Sequence, residues 1–264
     1  MRQTCFARCS LCYHEIAILE ALQLRGRKSL TWKHWGATLA LSLGICLASA
    51  SVPAAREQTR SPWTLDGVLD ELDAAAHNFH SLSADVERTK VTVVVNDRST
   101  STGSILVRGD KMLLEMRAPD PRTILRTGDS LYIYTPGLKR VEEYNLGKRR
   151  ALLDQFLLLG FGTEGKELRK GYLITLMGED KLDDRKTVKL ELTPKADEVR
   201  NQISKIEIWL DESSWLAVQQ GFYEAGSGDY SIVRYTKLVR NPPIGDSAFK
   251  PHWPKGTQRV KPQS

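Results

Sequence analysis

Gly103–Met116, Gly-Ser-Ile-Leu-Val-Arg-Gly-Asp-Lys-Met-Leu-Leu-Glu-Met, is the stretch that most limits what the chain can fold into. Gly109-Asp110 between two apolar runs is a two-residue hairpin signal, because Gly takes the positive φ that such a turn needs. A loop of that length sets the register. Arg108 then faces Lys111, Val107 faces Met112, Leu106 faces Leu113 and Ile105 faces Leu114, and opposed residues share a face. One face is Ile105, Val107, Met112, Leu114 and Met116. The other mixes Ser104, Leu106, Arg108, Lys111, Leu113 and Glu115. An antiparallel sheet with one apolar face needs something apolar to cover it.

The chain around the hairpin repeats the pattern. Thr64–Phe79 places Leu65, Val68, Leu69, Leu72, Ala75, Ala76 and Phe79 at helical spacing, with acidic residues in its early turns. Leu82–Val95 alternates and then becomes β-branched, and Asn96-Asp97-Arg98-Ser99 reads as a turn. Short strands follow the hairpin at Thr123–Thr127, Leu131–Thr135 and Lys139–Asn145. Leu146–Leu159 switches to an apolar helical pattern, ended by Gly160-Phe161-Gly162; it is a core helix or a lid. Strands resume at Tyr172–Met177, Thr187–Thr193, Ile203–Leu210, Leu216–Tyr223 and Tyr230–Leu238. Asn241-Pro242-Pro243 ends the sheet, and a polar tail runs on. The expectation is a mainly β chain of roughly ten strands and two helices, antiparallel by its short connections.

The first 55 residues read as leader. Gly36–Val52 is uncharged and apolar, follows Lys33-His34 and closes on small residues, which is the order of a cleaved secretory signal. Residues 1–29 precede a complete signal and suit a misassigned start. Residues 56–63 are linker, 64–260 one domain and 261–264 a tail. The formal charge of +6 is concentrated early: residues 1–50 hold six of the 38 Lys/Arg and two of the 32 Asp/Glu. The remainder, with 32 basic against 30 acidic residues, is nearly balanced, which argues against nucleic acid as a partner. All four cysteines lie within the first 50 residues, so the domain itself has neither disulfide nor thiolate metal site. Cys5, Cys9 and Cys12 have iron–sulfur spacing, but a leader is no place for a cluster.

Catalytic signals are missing. There is no nucleophile elbow, phosphate loop or dinucleotide fingerprint. His77 and His80 stand one helical turn apart, a spacing zinc can use, but no third ligand is near them in sequence, and helix-end capping or solvent exposure explains them better. Asp183-Asp184 and Asp211-Glu212 suit solvated turns. The expectation is a binding protein without catalytic residues, metal or cofactor. Its apolar sheet face is either packed core or the wall of a lipid cavity.

From Thr64 to about Val260 the chain resembles the LolA-like family of lipoprotein carriers. The resemblance rests on Ser81-Leu82-Ser83-Ala84-Asp85-Val86 after an amphipathic helix, and on Gly103-Ser104-Ile105-Leu106-Val107. It continues in Gly128-Asp129-Ser130-Leu131-Tyr132-Ile133-Tyr134-Thr135-Pro136, and in Leu192-Thr193-Pro194-Lys195 followed by the alternating Ile203–Leu210. Phe249-Lys250-Pro251 and Pro254-Lys255-Gly256 close it. The resemblance implies an incomplete antiparallel β-barrel with helices covering an apolar cavity. It implies a periplasmic monomer that carries acylated lipoproteins from an inner-membrane ABC transporter to an outer-membrane acceptor, with a lipid-sensing module or a carrier of another lipid as alternatives.

On that fold the expected lining is Leu82, Ala84 and Val86 of the first strand, and Ile105, Val107, Met112, Leu114 and Met116 of the hairpin. Leu131 and Ile133 follow, then Leu153, Phe156 and Leu157 of the apolar helix, and Ile206 and Ile208. Family carriers often have Arg-Pro at the hairpin turn, the Arg acting in lid closure. Here Gly109-Asp110 stands there, and Arg108, one place earlier, is the candidate lid or release switch. A one-residue slip reverses the face of a strand residue.

Overall fold

The computed structural model describes residues 62–147, 156 and 158–262. The expected leader, together with Leu152 and the expected lining residues Leu153 and Leu157 of the apolar segment, lies outside the described residues. A helix α1 (Leu65–His77) opens the domain, its Thr64 side chain accepting from Gly67 N at 3.1 Å as an N-cap. Val68, Leu69 and Leu72 form its buried face. The strands are β1 (Ser81–Thr92), β2 (Asp97–Arg108), β3 (Lys111–Met116), β4 (Arg122–Thr127), β5 (Ser130–Thr135) and β6 (Arg140–Asn145). They continue as β7 (Tyr172–Leu182), β8 (Arg185–Pro194), β9 (Ile203–Asp211), β10 (Ala217–Glu224), β11 (Tyr230–Arg240) and β12 (Gln258–Val260).

All twelve make one open sheet in the order β12-β6-β5-β4-β3-β2-β1-β11-β10-β9-β8-β7. Two meanders, β2–β6 and β7–β11, flank β1, and β1 joins them by pairing antiparallel with both β2 and β11. The first meander thus ends near one edge of the sheet, while β7 begins at the opposite edge. The connection from β6 to β7, here the crossing segment, thus joins strands at opposite ends of the sheet order, and among its described residues Leu146, Phe156, Leu159, Phe161 and Leu168 join the core on the apolar face.

The hairpin has the register expected from its turn, with Arg108 opposite Lys111, Val107 opposite Met112 and Ile105 opposite Leu114. Gly109 takes φ +57°. The fold is the expected mostly β, incomplete barrel-like sheet, but several elements differ from the sequence reading. β1 stops at Thr92, and Val93–Val95 form a 3-10 turn closed by Asn96 at φ 48°. The turn therefore lies at Val93–Asn96 and not at Asn96–Ser99, because Asn tolerates the left-handed conformation that ends it. Two short helices, α2 (Gly165–Gly171) and α3 (Asp197–Arg200), were not expected. Of the expected Leu146–Leu159 helix, Phe156 is helical, the chain turns from Leu158 onward, and residues 148–155 and 157 lie outside the described residues. The polar tail is also structured: Gln258–Val260 pair in parallel with Arg140–Glu142, and Trp253 lies against Tyr134 at 5.4 Å between ring centroids.

Candidate functional site

The apolar face is one contiguous cluster running through β1–β5 and β8–β10. Leu82, Ala84 and Val86 alternate into it from β1, and Ile105, Val107, Met112 and Met116 from the hairpin. Leu131 and Ile133 reach it from β5, Ile206 and Ile208 from β9, and Phe156 from the crossing segment. Leu114 is half-buried and packs against the same cluster. Every expected lining residue among the described ones is thus brought together on one face. Val68, Leu69 and Leu72 of α1 and the described Phe156, Leu159, Phe161 and Leu168 of the crossing segment pack onto this face.

The cover is pinned at a few polar points. Gly165 N donates to Asp73 Oδ1 at 2.7 Å, tying the crossing segment to α1. Gln220 on β10 reaches from the sheet, donating Nε2 to the Leu159 carbonyl at 2.7 Å. The Tyr235 hydroxyl donates to Gln220 Oε1 at 2.7 Å, and burial holds the Tyr235 phenol well above its usual pKa. Phe161 meets the Tyr235 ring edge to face at 4.9 Å. Gly160, at φ +76°, permits a close approach to the sheet: a Cβ there would stand 2.6 Å from Ala217 Cβ and 2.7 Å from Ile208 Cδ1.

Two arginines lie on the apolar face and were not singled out in the sequence. Arg126 pairs with Met112 across the β3–β4 ladder and is fully buried. It donates to the Gly128 carbonyl, and its guanidinium lies 3.9 Å from Asp110. Arg122, 5 % exposed, stands opposite Met116 and 3.7 Å from Asp120. The signal was present: Arg122, Ile124 and Arg126 are two apart on a strand and must share a face.

Arg108 lies on the face opposite the lining. It donates to the Ile244 carbonyl at 2.5 Å and to Asp246, and its guanidinium sits 5.6 Å from the centre of the Phe249 ring. Lys111 donates to the same Asp246 oxygen at 2.7 Å. The like charges facing each other across the turn are thus reconciled by one carboxylate from the C-terminal segment. The hydrogen bond from Lys111, with the nearby Arg108 and Lys111 charges, holds the Asp246 carboxyl below the usual range.

That opposite face carries a polar network further along the sheet. Glu207 accepts from Lys205 at 3.1 Å and from the Tyr223 hydroxyl at 2.8 Å, and Lys189 stands 3.1 Å away. Burial opposes the Glu207 charge, but these three partners together hold its pKa below normal. Burial, then the bond to Glu207, pushes Tyr223 up to about 12. A cleft of about 380 Å³ on this face is lined by Asp85, Glu87, Thr102, Arg117, Asp183 and Arg234, among others. His77 Nδ1 is 2.7 Å from the Asp73 carbonyl of its own helix. Among the described residues no three His, Cys, Asp or Glu side chains form a group able to hold a metal ion. Nor, among those residues, is any helix long and apolar enough to cross a membrane.

Comparison with known proteins adds the following. A family model described only as "-like: Uncharacterized protein" matches residues 108–240, roughly half of the chain. The outer-membrane lipoprotein carrier protein of Dechloromonas aromatica (strain RCB) is 23% identical over 195 residues, covering 74% of this chain and 88% of that protein. An uncharacterized conserved protein from Thermus thermophilus superposes with a TM-score of 0.49 at 10% identity, over 74% of this chain and 98% of that one. A LolA superfamily protein from Nitrosomonas europaea gives a TM-score of 0.38 at 16% identity, over 72% and 98%.

Proposed function

We propose that the chain is a lipoprotein carrier of the LolA-like kind, as its 23% identity to the Dechloromonas aromatica outer-membrane lipoprotein carrier protein supports, and that it carries lipoprotein acyl chains against the apolar face of its sheet. The observation that supports this most is the contiguous apolar cluster onto which α1 and the described part of the crossing segment pack, with polar contacts at Asp73–Gly165 and Gln220–Leu159. Displacing such a cover opens an apolar surface without unfolding the strands beneath it. Each CH2 of an acyl chain costs about 0.8 kcal/mol to leave in water, so a diacyl or triacyl anchor moves between membranes only inside an apolar shelter. Met112 and Met116 suit chains of varied length, since the thioether side chain adapts its rotamers to irregular contacts.

In this reading the protein works in the periplasm as a monomer, without catalytic chemistry or cofactor. It receives its cargo from an inner-membrane ABC transporter and yields it to an outer-membrane acceptor. The test is binding of a synthetic acylated peptide and of its unacylated twin to purified, delipidated protein. The acylated peptide binds and the unacylated one does not.

The engagement of Arg108 by Asp246 favours a second reading, a lipid-sensing module on the same scaffold. A sensor retains bound acylated peptide when an outer-membrane acceptor is added, whereas a carrier releases it.

A further inference from the structure

The tip of the β1–β2 hairpin is built unlike an ordinary turn. Hairpin tips are normally Gly, Asn, Asp and Ser, which water solvates well. Here three consecutive valines occupy it: Val93, Val94 and Val95 are 49%, 84% and 68% exposed. The chain presents them in a fixed form. Val93 N donates to Asp229 Oδ1 at 2.9 Å, and Asn96 N closes the 3-10 turn onto the Val93 carbonyl at 3.1 Å. These backbone donors are therefore already satisfied when the tip leaves water. β1 and β2, twelve residues each, carry it at the far end of the ladder.

Behind the apex the chemistry changes in order. Tyr230 pairs with Val91 on β1 and stacks on Tyr223 at 5.5 Å. At roughly 3.3 Å per residue this aromatic pair lies about 7 Å behind Val93. Amphipathic elements seat their apolar side about 5–10 Å into the headgroup and acyl boundary, where Tyr is enriched. The charges nearest the apex are of mixed sign, Lys90 and Arg98 against Asp97, Asp229 and Glu224. That mixture gives no steering toward an oppositely charged protein surface, and valine is under-represented among the residues that anchor protein interfaces.

We infer that the Val93–Val95 tip is a membrane-contact element that inserts into the acyl region of a bilayer and recognises it by apolarity, not by headgroup charge. The inference does not require that the apolar sheet face carries cargo.

The experiment uses the full chain with a tryptophan placed at the tip. Val94→Trp is titrated with phosphatidylcholine vesicles bearing brominated acyl chains, and wild-type fluorescence is subtracted. The control is Val239→Trp, an exposed valine opposite Ser83 at the other end of the sheet. We expect the indole at position 94 to shift to the blue and to be quenched, with little change on raising salt from about 0.1 to about 0.5 M. The indole at position 239 should stay unquenched. Adding Val95→Asp to Val94→Trp should raise the lipid concentration needed by tenfold or more. Absent quenching at 94, equal quenching at both positions, or quenching confined to anionic vesicles and lost in salt would each overturn the inference. Acylated-peptide binding is measured on the same variants. Its failure would count against the carrier reading and leave the tip result standing.

Discussion

Gln220 donates from Nε2 to the carbonyl of Leu159 across 2.7 Å, joining the middle of the sheet to the segment that crosses it. The same amide accepts the Tyr235 hydroxyl through Oε1, so one buried side chain serves two buried polar groups. Removing it leaves both without that partner in an apolar setting, where each loss costs about 1–3 kcal/mol. Gln220→Leu should therefore lower the unfolding free energy by about 2–4 kcal/mol in a urea titration. An unchanged midpoint would show that the contact does not hold the cover.

Gly160 tests the same contact from the cover side. Its φ of +76° and the 2.6 Å approach that a Cβ would make to Ala217 leave no room for a side chain. Gly160→Ala should force the crossing segment away from β10, at a stability cost of about 1–3 kcal/mol. Faster amide hydrogen exchange at Leu159 and Phe161, with β8 and β9 still protected, is the expected signature of a lifted cover.

Leu114 is the most exposed of the hairpin's lining residues and so the best place to alter the site without collapsing the fold. Leu114→Asp sets a carboxylate beside Ile124 and Ile105, its partners on the two neighbouring strands. Burying that charge under an acyl chain is unfavourable, so acylated-peptide affinity should fall by at least about tenfold, or ~1.4 kcal/mol. Calorimetric titration with a parallel thermal melt separates this effect from unfolding.

Asp246 gives the C-terminal segment a pH dependence. Its carboxyl is held below its usual value by the hydrogen bond from Lys111 and by the charges of Arg108 and Lys111. A depressed carboxylate pKa contributes stability above the ordinary value of about 3.9, and loses it as pH falls through the lowered one. Limited proteolysis near Ile244–Phe249 should therefore be slow at neutral pH and accelerate on acidification below about pH 4. Asp246→Asn should show the acid behaviour at neutral pH.

Much of this was legible in the residues because a two-residue turn leaves a strand pair no choice of register. Gly109-Asp110 was enough to place Ile105, Val107, Met112 and Leu114 on one face, and alternation did the same for Leu82, Ala84 and Val86. The misses have physical causes. Val93–Val95 have high strand propensity, yet the turn falls on them, because Asn96 takes the left-handed conformation that closes it. Gln258–Val260 carry no apolar pattern, and their strand exists only because β6 offers an edge. Arg126 is polar by type and buried by register, which composition alone does not reveal. The pairing of β1 with β11 joins residues about 150 positions apart, and no local signal specifies it.

The central claim is that the apolar face under the crossing segment takes acyl chains. The most direct measurement is mass spectrometry of the lipid released from protein purified without detergent, followed by titration of the delipidated protein with an acylated peptide. Copurifying acyl lipid is expected, with saturable binding that the unacylated peptide does not show. Delipidated, folded protein that fails to bind any acylated ligand would contradict it.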